Sequence, residues 1–152
     1  MMRLPFPREE QFGSRLHDPA VASRVGVWLG ICFVLAFVTG LFSHYAQAHV
    51  WWLPFPTRPV WLYRVTQGVH VLSGTAAVPL LLVKLWTVYP KLFAALPRRS
   101  ARAMVLHLLE RASIAVLVAA AVFELSIGLA NMSEWYPFPF LFRPVHYAVA
   151  WV

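Results

Sequence analysis

The residues in this sequence whose type and placement could do chemistry are its six histidines. His44, His49, His70 and His146 stand at or near the ends of long apolar runs. The topology drawn below puts all four on one side of a membrane at similar depth, with His17 and His107 on the other side. A titratable group inside a bilayer is costly and commonly functional, and neutral imidazole is a metal ligand that tolerates burial. Two imidazoles facing each other from different helices suit the iron of a b-type haem. Such a group also needs room beside its ligands. Gly74 lies one turn after His70 with Ser73 next to it, Ala148 and Ala150 follow His146, and Gly40 precedes His44 by one turn. A histidine at a helix end is equally an ordinary interfacial polar residue. Spacing alone leaves both readings open.

Other polar residues have narrower roles. Glu124 is the single acid well inside an apolar run, about 10 Å from its end at 1.5 Å per residue. It can accept a proton in a redox reaction or sit neutral and hydrogen-bonded in a helix bundle. Arg58, Arg64 and Arg143 can clamp carboxylates through paired hydrogen bonds or snorkel at the membrane surface. His44 can touch a haem carboxylate, serve as an alternative ligand, line a quinol pocket or simply mark the interface. Cys32 is alone within an apolar run, which excludes an intrachain disulfide and a cysteine-rich metal site. No glycine-rich phosphate loop, paired catalytic carboxylates or nucleophile–base arrangement is visible, so nothing points to hydrolysis or group transfer.

The elements that carry these residues are membrane spans. Of 152 residues 60% are hydrophobic and 12% charged, about half the charge of a soluble domain. The first apolar run covers Val21 to Tyr45, and past Arg24 it holds no charge for some twenty residues, enough to cross about 30 Å of hydrocarbon. The second covers Thr66 to Tyr89, with Pro79 expected to kink it, and the third Val105 to Asn131. Ala48 to Arg64 and Ser133 to Pro144 are rich in tryptophan and proline, as suits headgroup level. The two loops echo each other in WLPFP…RPV and WYPFP…RPV, so a duplicated helical hairpin is one explanation of the layout. Gly26 and Gly30 form a small-xxx-small pair that suits close helix packing.

A fourth helix is expected to open at Pro144, a residue favoured in the first turn. From there to Val152 it reaches only about 13 Å, and HYAVAWV holds no helix-ending signal. The sequence therefore predicts an all-α transmembrane bundle of three full spans and the start of a fourth, continuing as an apolar helix further along the gene product.

The net charge of +7 follows from topology rather than from nucleic-acid binding. Ten of the thirteen basic residues lie in the N-terminal tail, in the Pro90 to Arg102 connector or at the span ends beside them, and only Arg58, Arg64 and Arg143 lie on the other side. That bias predicts a cytoplasmic N-terminus. Residues 1–20 are polar, contain proline and lack the apolar core of a signal peptide, so they read as a cytoplasmic tail before a membrane domain at 21–152.

Three stretches carry a family resemblance: WLGICFVLAFVTGLF (Trp28 to Phe42), VHVLSG (Val69 to Gly74) and HYAVAW (His146 to Trp151). They resemble the membrane cytochrome b subunits of formate dehydrogenases and nickel-iron hydrogenases. Nearly the whole chain, especially RPVWLYRVTQGVHVLSGTAAVPLLLVKLWTVYPKLF, resembles the N-terminal membrane part of bacterial molybdopterin-dependent oxidoreductases whose C-terminal part is similar to sulfite oxidase. The resemblance implies a four-helix cytochrome b domain in the bacterial inner membrane, with His70 and His146 coordinating one haem b near the outer face. It implies electron transfer between quinone and a molybdopterin domain or subunit. In those cytochromes a second haem, nearer the cytoplasm, uses histidines at the start of helix one and lower on helix four. Here Gly26 stands about where the first of these would be and the chain ends before the second, so one haem is expected. The rival from another class is a haem-free membrane anchor or assembly scaffold; a transporter has only Glu124 in its favour.

Overall fold

The computed structural model describes residues 18–48, 56, 58–92 and 100–152. Four helices follow in chain order: α1 (Pro19–Ala48), α2 (Trp61–Leu92), α3 (Ala101–Met132) and α4 (Phe142–Val149). Strands are absent among the described residues. The first three helices have 30, 32 and 32 residues, about 45–48 Å of helix each. All three are long and apolar enough to cross a membrane, so the chain is an all-α, multi-pass membrane protein.

Apolar side chains cover these helices on nearly every face. Val27, Trp28, Val34, Val38, Leu72, Leu82, Leu109 and Val116 are exposed, a pattern that belongs in lipid and not in water. The interior is small. Leu29 of α1 meets Ala77 and Leu81 of α2, with Cys32, Phe33, Leu80, Leu85, Ala121 and Leu125 packed round them. Ala77, 1% exposed, is the small residue that lets α1 and α2 approach, as packing between helices in lipid requires.

Helix boundaries follow local chemistry. Ser100 caps α3, its hydroxyl accepting from the Ala103 N–H at 3.2 Å. At the other end of α3, Trp135 N–H bonds the Ala130 carbonyl and Glu134 N–H bonds that of Asn131. This paired closure leaves Glu134 at φ 53°, a position usually given to glycine. The loop then returns through stacked Phe138 and Phe140, the latter against Phe123 of α3. α4 starts two residues before Pro144, which falls inside its first turn. α2 runs unbroken through Pro79 and Pro90, so the connector expected to begin at Pro90 begins later.

One polar contact binds the opposite end of the bundle. Lys84 Nζ donates to the Ala22 carbonyl of α1 at 2.8 Å. A Cβ on Gly26 would stand 3.0 Å from that ammonium, whereas one on Gly30 would meet nothing. Gly26 therefore makes room for a side chain of the facing helix, as close packing requires, whereas Gly30 has no such neighbour.

Candidate functional site

The site lies where the C-terminal halves of α1 and α3 meet the start of α2 and α4. His70, in the third turn of α2, turns towards α1. Its Nδ1 lies 2.8 Å from the Ala36 carbonyl, and Thr39 Oγ1 is 3.5 Å away. A carbonyl only accepts, so Nδ1 carries the proton and Nε2 is left with a free lone pair. The ring fits because α1 has no side chain at Gly40, where a Cβ would stand 3.0 Å from His70 Cε1 and 3.3 Å from Nδ1. Gly40 thus serves the histidine of the facing helix and not His44 on its own. No contact within 4 Å meets a Cβ at Gly74, so space remains on that side of His70.

His146, in the second turn of α4, faces α3. Its Nδ1 approaches Glu124 Oε2 to 2.6 Å, and the Glu124 side chain is only 13% exposed. The approach is close but poorly aligned for a hydrogen bond, and Glu124 Oε1 is buried without a partner. Glu124 Oε2 and His146 Nδ1 are thus close neighbours, and that Nδ1 has no hydrogen-bond partner in this arrangement. Phe142 stacks on the His146 ring with centroids 4.8 Å apart, and a Cβ on Gly128 would reach its Cε1 at an ordinary 3.9 Å.

These placements bring His70 and His146 together across the bundle, with ring centroids 6.1 Å apart and planes at 82°. Two imidazoles bound on opposite sides of one metal, with metal–nitrogen bonds of about 2 Å and about 1.1 Å from nitrogen to centroid, stand about 6.2 Å apart. The spacing leaves room for one metal ion that both rings would hold. The His70 Nδ1 lies against the Ala36 carbonyl and the His146 Nδ1 lies beside the Glu124 carboxylate; a second group on Nδ1 is what commonly orients a ligating histidine. Among the described residues no three His, Cys, Asp or Glu side chains form a metal-holding group.

The other candidates lie around this pair. His44 stacks on Tyr147 at 3.9 Å and 12°, so it braces α1 against α4 one residue from His146. Phe37 meets Trp151 edge-on beside it. Ser43 is buried with no partner for its hydroxyl, a polar group that sequence reading missed. It is one turn beyond Gly40 on the same face of α1. Further out, Gln47 and Gln67 both reach the Tyr63 hydroxyl. Arg58, Arg64 and Arg143 are exposed at this end. His107 pairs with Glu110 at 3.3 Å near the start of α3, far from the site, and His17 and His49 lie outside the described residues. No family model, curated protein or solved structure matches the chain.

Proposed function

We propose that this chain is a membrane b-type cytochrome segment, binding one haem between His70 and His146. It would pass electrons between the quinone pool and an extracytoplasmic molybdopterin oxidoreductase domain or partner. The observation that carries the reading is the imidazole pair, 6.1 Å apart, with His70 Nδ1 on the Ala36 carbonyl and His146 Nδ1 beside Glu124. The resemblance described above supplies the identity of the electron partners.

The chain's own residues then have definite work. His70 and His146 each offer an Nε2 lone pair, and the Ala36 carbonyl and Glu124 carboxylate hold the rings in place. A haem iron bound there supplies one-electron transfer between its ferric and ferrous states. The bulky Phe142 ring covers one face of His146. Arg64 and Arg143 stand at the outer end, where guanidinium groups can pair with the haem carboxylates. The protein moves electrons and performs no substrate chemistry of its own.

The direct test is the reduced-minus-oxidised visible spectrum of protein purified from bacterial membranes. A b-type spectrum that develops on anaerobic addition of a quinol is expected. Purified protein devoid of haem would replace this reading with that of a haem-free anchor or scaffold. The planes of the two imidazoles, at 82°, predict a highly anisotropic low-spin electron paramagnetic resonance signal in the ferric state.

Orientation is tested separately. With Cys32→Ala as background, single cysteines at Ser100 and Glu134, at the two ends of α3, should react with an impermeant maleimide from opposite sides. Glu134→Cys is expected to label from outside, placing the site near the outer face of the bacterial inner membrane and the N-terminus in the cytoplasm. The reverse labelling would invert the topology.

A further inference from the structure

Burying a carboxylate in a lipid-facing bundle carries a large desolvation penalty, yet the Glu124 side chain, about two turns from the end of α3, is only 13% exposed. One of its oxygens lies 2.6 Å from His146 Nδ1, near enough to take the ring N–H after a small rotation although unaligned here, and the other has no partner. His70 on the opposite side has a different support, a neutral backbone carbonyl at 2.8 Å. The two imidazoles are therefore held unequally, one by a dipole and one by an acid.

We propose that Glu124 is a positioning residue for His146 that sets the reduction potential of the haem, drawing on the ring proton and favouring the ferric state. This rests on the haem reading given above. A carboxylate that accepts the Nδ1 proton makes the imidazole a stronger donor to the metal and fixes which nitrogen is free. Stronger donation stabilises the higher charge on iron, and second-sphere hydrogen bonding is one of the levers by which a protein tunes that potential. The geometry suits the role. Glu124 and Gly128 lie one turn apart on α3, so the carboxylate and the gap beside His146 Cε1 address the same ring. The partner that Glu124 finds across the bundle is the ring that would ligate metal.

The test is a redox titration of haem in the full-length protein purified from membranes, comparing wild type with Glu124→Gln and Glu124→Asp. Gln keeps the size and an accepting oxygen but removes the charge. The expected result for E124Q is a retained low-spin spectrum with the equilibrium shifted at least tenfold towards the ferrous state, an increase of about 59 mV for one electron. E124D should return most of the way to wild type. An unchanged potential in E124Q overturns the proposal. If E124Q holds no haem, the Asp variant decides: haem regained in E124D supports the carboxylate's role, and haem absent from both overturns it. A wild-type protein without haem is a separate outcome, since it removes the cytochrome reading itself.

Discussion

Replacing His70 or His146 with alanine is expected to remove the six-coordinate b-type spectrum and to lower haem content at least tenfold, while His44→Ala keeps both. The rings of His70 and His146 stand 6.1 Å apart, and removing either takes away one of the two imidazoles that would hold the haem. His44 stacks instead on Tyr147, so its loss should loosen α4 and at most shift the potential. Global unfolding is not the expected cause of haem loss. His70 contributes one hydrogen bond between α1 and α2, a contact worth about 0.6–2 kcal/mol between helices in lipid. The Leu29, Ala77 and Leu81 cluster and the Lys84 to Ala22 contact remain. Haem per polypeptide and the visible spectrum, measured beside membrane abundance of each variant, check this. A normal spectrum in His70→Ala with a lost one in His44→Ala would move the ligand pair to His44 and His146.

The spans could be read from the sequence because uncharged apolar runs of twenty residues have few alternatives in water. The depth of the histidines came with them, since helical rise converts sequence position into height. What could not be read was which faces meet. Gly40 precedes His44 by one turn and was assigned to it, yet the helix turns that position towards His70. Gly26 looked like half of a packing pair and instead makes way for Lys84. Glu124 was visible as a lone buried acid, but its partner depends on how α4 returns over α3 through the Phe138 and Phe140 loop. Rotation about a helix axis is set by tertiary packing, and a helix that is apolar all round carries little record of it. The apolar span of α2 ends at Tyr89, as its sequence has it, and the helix itself carries on to Leu92.

Gly40→Val is the sharpest test of the cradle, and it should abolish tight haem retention without touching either histidine. A Cβ at Gly40 would already stand 3.0 Å from His70 Cε1 and 3.3 Å from Nδ1, and valine adds two methyl groups there. The imidazole would have to swing off the Ala36 carbonyl, giving up the 2.8 Å contact that fixes its tautomer. Loss of a partner that orients a ligating histidine typically weakens metal binding 10–100-fold, and displacement of the ring itself should reach the upper end of that range. Gly40→Ala is expected to be intermediate, because the ring can yield by a few tenths of an ångström. Gly30→Val is the matched control: it lies on the same helix, a Cβ there meets nothing within 4 Å, and its haem content should equal that of wild type. Haem per polypeptide across the three variants reads the series. Equal retention in Gly40→Val and Gly30→Val would mean that His70 does not need its place between α1 and α2, and the ligand role given to that ring would fall with it.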